Sequence, residues 1–168
     1  SEEWVKEAEK RGLPNLRKTP EALAQLVNPT SKKLLTTLGI FTEAEVTSRF
    51  HVRIERFVKN LMIEVDTLRS MVDTMILPAC YAYHGMLAGA VASAKAAGVG
   101  APQSDSLGKL STLIGTLQTK RTQLETAFHK AETMTTEEDK AKSFSREVST
   151  SIAEVRSLCD ELEAIVAD

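Results

Sequence analysis

Apolar residues return every three or four positions along most of this chain, and no stretch alternates apolar with polar residues as a half-buried strand would. The strongest stripe begins after Thr42. Val46, Phe50, Phe57, Leu61, Val65, Leu68, Val72, Met75 and Ile76 share one face at a period near 3.6, with nothing to break a helix before Pro78. "TEAE", Thr42 to Glu45, reads as a capping box: the threonine side chain accepts from a free N–H and the glutamate three residues on reaches back. Beyond Pro78 the run "ACYAYHGMLAGAVASAKAAG" still favours helix. The pattern predicts one long helix over 42–98, kinked at Pro78 and on the order of 80 Å long at about 1.5 Å per residue.

"GVGAPQSDS" turns the chain, and two more stripes follow. In the first, Leu107, Leu110, Ile114, Leu117, Leu124, Phe128 and Ala131 form a seam on which Arg121 is the polar interruption. In the second, from about Glu137, Ala141, Phe144, Val148, Ser151, Val155, Leu158, Leu162 and Ile165 alternate by three and four as a heptad seam without a slip. The short "TMTTEED" link predicts an antiparallel pair over 104–168 sharing those faces. Ahead of the long helix, "TPEALAQLV" offers Thr19 as N-cap, Pro20 at the first helical position and Glu21 at the positive end of the dipole. "NPTSKKLLTTLG" repeats the arrangement, with Asn28 or Thr30 as cap and Gly39 as a left-handed stop. Trp4 is expected to anchor an amphipathic first helix. The expected architecture is all-α: a single elongated helical bundle over 1–168, with short helices in 1–41, the long kinked helix in 42–98 and the antiparallel pair in 104–168.

Composition narrows the class. The 21 basic and 23 acidic residues give a net charge of −2, without the basic excess that tracks phosphates, so nucleic acid is not an expected partner. There is no run of 18 consecutive apolar residues, and the charged start "SEEWVKEAEKR" resembles neither a signal nor a transit peptide. A cytoplasmic chain with no membrane contact is expected. Cys80 and Cys159 then stay reduced rather than paired. The sequence opens inside a helical pattern without an initiator methionine, as a piece of a longer protein would.

Chemistry concentrates in "ILPACYAYH", Ile76 to His84. Cys80 and His84 stand one helical turn apart, as a thiol and its base would, but nothing nearby orients the imidazole and no glycine turn offers an oxyanion hole. Packing is the expected role. His51 with Glu55, and Glu125 with His129, each place an imidazole and a carboxylate on one face, yet a di-iron bundle needs Glu-x-x-His motifs, which this sequence lacks. Surface ion pairs are expected there. "GVGAP", Gly98 to Pro102, follows a helix rather than a strand and reads as a turn, not a phosphate cradle. Gly89, Ser93 and Ala97, spaced by four, are expected to let a neighbouring helix of the bundle approach closely, with a subunit contact as the alternative. No catalytic, cofactor-binding or metal-ligating residue is expected.

Four segments taken in order carry a resemblance. "EEWVKEAEKRGLPNL" (2–16), "TPEAL" (19–23), "GIFTEAEVTSR" (39–49) and "ILPA" (76–79) resemble the C-terminal region of type III glutamine synthetases, over roughly residues 2–84. The resemblance implies a fragment of a large cytosolic enzyme that joins ammonia to glutamate with ATP and a divalent metal such as Mg, working as a ring-based oligomer. It implies that those sites lie in upstream domains and that this chain is a non-catalytic module for assembly or regulation. Its partners would be the upstream catalytic domain and neighbouring subunits, and no catalytic residue carries over. A free-standing helical adaptor that binds partner helices is the alternative.

Overall fold

The computed structural model describes residues 2–166, and among them there is no strand. Three short helices, α1 (Glu2–Lys10), α2 (Thr19–Ala24) and α3 (Pro29–Thr37), lead into α4 (Glu43–Met71). α4 continues through a π-helical turn, Val72–Ile76, into α5 (Leu77–Ala96), which completes the long kinked helix. α6 (Ser104–Glu132) returns along this rod, and α7 (Glu137–Ser143) passes through a second π-turn, Phe144–Val148, into α8 (Ser149–Glu163).

The helix starts follow local chemistry. Glu45 N–H donates to Thr42 Oγ1 (3.2 Å) and Thr42 N–H donates to Glu45 Oε2 (2.7 Å), the reciprocal capping box that fixes the start of α4. Ser31 N–H donates to Asn28 Oδ1 at 2.8 Å, so Asn28 rather than Thr30 caps α3. Gly39 and Gly98 close α3 and α5 with φ of 67° and 73°, in the left-handed region that glycine reaches without cost. α2 departs from expectation: Thr19 is already helical and Lys18 occupies the cap without a side-chain bond. Tertiary docking fixes this start instead. Lys18 Nζ donates to the Ser145 carbonyl (3.3 Å), Arg146 pairs with Glu21 (3.2 Å), and Pro20 is buried between.

Pro78 explains the first π-turn. In an unbroken α-helix residue 78 would donate to the Thr74 carbonyl, but proline has no N–H and its ring needs the space that carbonyl occupies. The wider turn opens that space, with Leu77 N–H reaching back to the Val72 carbonyl. The extra residue also rotates every face beyond it. Val65 and Val72 are buried a heptad apart, but the next buried residue is Leu77, followed by Cys80, Leu87 and Val91. Met75, expected on the core stripe, is therefore 62% exposed, while Leu77 is inside. On α4, Ile54 and Val58 are buried where Phe57 is only half-buried.

The second π-turn corrects the expected slip-free heptad. Ser149 donates from both its N–H and its hydroxyl (3.0 Å) to the Phe144 carbonyl. Phe144 stays in the core, edge-on to Phe128 at 5.7 Å, but farther on it is Cys159 that is enclosed, with Leu158, Ser151 and Ile165 half-buried. Trp4 is 58% exposed and does not anchor α1.

Coverage of the rod is uneven. α2, α7 and α8 all pack on α4, whereas α5 has α6 as its one extensive helical neighbour, because α8 ends beside Cys80. The continuous helix Glu43–Ala96 contains an 18-residue window apolar enough by composition to cross a bilayer, and only 22% of that window is buried. That window is apolar on average without being a run of consecutive apolar residues.

Candidate functional site

Polar chemistry in the described residues gathers where α6 crosses the first π-turn. Arg121, the interruption of the α6 seam, grips Asp73 with Nη2–Oδ2 at 2.7 Å and Nε–Oδ1 at 3.2 Å. Its Nη1 reaches Glu125 Oε2 at 3.2 Å, and Arg69 Nε approaches the same oxygen at 3.2 Å. That second approach is badly angled for a hydrogen bond, leaving the buried Arg69 Nε with charge attraction alone. Glu125 Oε1 takes His129 Nε2 at 2.8 Å, and the Arg69 guanidinium lies 5.7 Å from the Phe128 ring. Hydrogen bonds from Arg121 to Asp73 hold the guanidinium pKa above its ordinary value.

The cations and carboxylates neutralise one another, so the cluster is a clamp between α4 and α6 rather than a charged site awaiting a ligand. A clue was present in the sequence: a lone arginine on an apolar seam, facing a stripe with Asp73 beside Val72. The acid it meets, Asp73, lies within the π-turn, and spacing alone does not mark that turn.

Cys80 and His84 do not meet as thiol and base. Cys80 is enclosed, and burial pushes its thiol pKa up, away from nucleophilic thiolate. His84 Nε2 instead bonds Ser111 Oγ on α6 at 2.7 Å, and Gln118 Nε2 donates to Tyr81 Oη at 2.8 Å. Tyr81 and His84 thus fasten α5 to α6, while Cys80 is buried beside the end of α8.

Of the two histidine–carboxylate pairs, Glu125 and His129 meet as the expected surface ion pair, whereas Glu55 turns to Lys59 instead of His51. Glu55 pairs with Lys59 at 2.7 Å, which lowers the carboxyl pKa, while His129 is shared between Glu125 and Glu132. No cluster of three or more His, Cys, Asp or Glu able to hold a metal occurs among the described residues. "GVGAP" is the turn expected. Gly89, Ser93 and Ala97 are all exposed, and a Cβ built on Gly89 meets nothing within 4 Å, so this spacing does not serve a helix contact inside the bundle. A groove of about 450 Å³ runs between the start of α5 and the end of α8, lined by Met75, Ala79, Cys80, Leu162, Glu163 and Val166 among others.

The family model described as the glutamine synthetase C-terminal domain matches residues 1–95. This chain belongs to that family. The match ends within one residue of the end of α5, so it takes in the capping box, the π-turn and Pro78. A glutamine synthetase from Butyrivibrio fibrisolvens is 31% identical over 171 aligned residues, covering 100% of this chain, α6 to α8 included. A type-3 glutamine synthetase from Dictyostelium discoideum is 37% identical over 93 residues, 55% of the chain, and a Bacteroides fragilis glutamine synthetase is 34% identical over 87, 52% of the chain. The chain spans 24% of the length of the Butyrivibrio relative and 13% and 12% of the other two. Within the domain, the clamp residues Arg69 and Asp73 fall inside the matched segment and Arg121 and Glu125 outside it.

Proposed function

We propose that this domain is the non-catalytic helical C-terminal module of a type III glutamine synthetase, serving assembly or regulation of an enzyme that ligates ammonia to glutamate with ATP. The observation that carries the reading is the family match over residues 1–95, supported by similarity to a relative named as a type-3 enzyme. In this reading ATP and Mg are bound outside this chain. The carboxylates on the α4–α6 face are occupied by arginine and histidine, and oxygen-rich sets for a hard divalent cation are not assembled among the described residues.

In this reading the nucleotide, metal and glutamate sites belong to the upstream catalytic domain of a cytoplasmic homo-oligomer. The module touches that domain and neighbouring subunits. Mixing the purified chain with glutamate, ammonia, ATP and Mg tests the non-catalytic half directly. No glutamine is expected above a blank without protein; protein-dependent formation would overturn it.

A further inference from the structure

The exposed side of α5 carries a second heptad seam. Met75, Ala79, Ala82, Met86, Gly89, Ser93 and Ala96 alternate by four and three, and every one of them is exposed. Leu77, Cys80, Leu87 and Val91 form the buried seam on the opposite face, against α6. A helix with one neighbour normally turns a charged face to water. Here residues 74–97 contain a single Lys, Arg, Asp or Glu, which is Lys95.

We propose that α5 pairs with α5 of a second copy of this chain, antiparallel, along the exposed seam. Side-chain sizes favour that arrangement. With Met86 on the two-fold axis, Ala82 faces Gly89, Ala79 faces Ser93 and Met75 faces Ala96, so the two larger side chains at the ends meet small ones and the helices approach closely. A parallel pair would stack Met75 on Met75 as well as Met86 on Met86 and would leave Gly89 opposite Gly89 as a gap.

Charge adds an independent reason. The antiparallel register brings the partner's Ala96 end to the groove between Met75, Ala79 and the end of α8, where Glu163 stands on the rim. Lys95 of the second copy then arrives beside Glu163. The neutral seam gives no attraction to an acidic or basic partner, but it lets identical faces meet without repulsion.

The seam is ~33 Å long at about 1.5 Å per residue, and a strip about 10 Å wide covers roughly 300 Å² per copy, below the ~800 Å² per partner of a standard interface. Pairing is therefore weak in the free chain and strengthened where copies are already held together. It rests on the exposed seam and not on the assembly reading, which survives if α5 docks elsewhere.

Cysteine cross-linking of the full 168-residue chain tests it. Under mild oxidant, Met86→Cys should form a disulfide-linked dimer. Met75→Cys and Ala96→Cys should each stay monomeric alone and cross-link when mixed. Val52→Cys, exposed on α4, is the collision control. Adding Gly89→Glu, which has open space for its side chain, should abolish the M86C cross-link with helicity unchanged. Lys95→Glu should weaken cross-linking and the further Glu163→Lys should restore it. Cross-linking of M86C no better than the Val52→Cys control, self-linking of M75C as a parallel pair requires, or binding of the chain to neutral phosphatidylcholine vesicles in place of self-association would each overturn the proposal.

Discussion

At the residue scale, the groups that looked most reactive are the ones most firmly used for packing. Cys80 and Cys159 are both enclosed unpaired thiols. Burial, with help from the nearby Glu163 and Asp160 charges, raises the Cys159 pKa from its ordinary 9.0 to about 11. A raised thiol pKa contributes stability that is present below the unfolded value and lost as pH rises, because the unfolded chain ionises first. Chemical denaturation between pH 9 and about 11 should therefore show wild type losing stability faster than Cys159→Ala, by up to about 1.4 kcal/mol per pH unit. Parallel pH dependences of the two proteins would contradict the enclosed thiol.

Arg121 poses the other residue-scale question, since a charge on an apolar seam must be held by partners. Asp73 and Glu125 supply them, in a partly exposed setting that limits the gain. A double-mutant cycle with Arg121→Met and Asp73→Asn should return a coupling of about 0.5–1.5 kcal/mol. Additive effects would show that the clamp does not couple the first π-turn to α6.

At the element scale, the two π-turns decide which faces are inside. Helix identity, the capping box, Asn28, Gly39 and the kinked continuation past Pro78 were legible because each depends on residues within one or two turns. The core positions after Val72 were not, because an inserted residue shifts them all by about 100° and periodicity alone carries no mark of it. Proline was the available signal: it demanded a local change without saying whether the helix would bend, widen or stop. The register makes a contrast that needs no absolute scale. Leu77→Ala should cost about 2–4 kcal/mol on thermal or urea unfolding, and Met75→Ala less than about 0.5. Equal costs would put the face back where an unbroken helix has it.

Of the seam expected on α7 and α8, Ala141, Phe144, Val148, Val155 and Leu162 are buried, and Ser151, Leu158 and Ile165 are half-buried. The small residues Gly89, Ser93 and Ala97, spaced as a close helix contact inside the bundle would have them, lie on the outside. Spacing shows which residues share a face but not whether a neighbour covers it; here α8 ends too early to do so.

At the scale of the whole molecule, a well-covered half around α4 carries a barely covered one around α5. That asymmetry suits a module that works by contact. Ion pairs such as Arg121–Asp73, Lys120–Glu154 and Lys130–Glu147 tie helices together, and the uncovered face of α5 is apolar and rich in small residues. Cutting a parent enzyme within the module would expose Leu77, Cys80 and Leu87 on α5 by removing α6, and would confuse loss of function with misfolding. Deleting the residues corresponding to 1–168 as a unit avoids this. Sedimentation velocity of that truncated glutamine synthetase beside the intact enzyme, with steady-state kinetics on the same samples, is the most direct measurement. A changed oligomer or changed kinetic regulation is expected, with glutamine still formed. An unchanged oligomer with unchanged rate and substrate affinity would contradict it, as would complete loss of glutamine formation by an enzyme that still assembles.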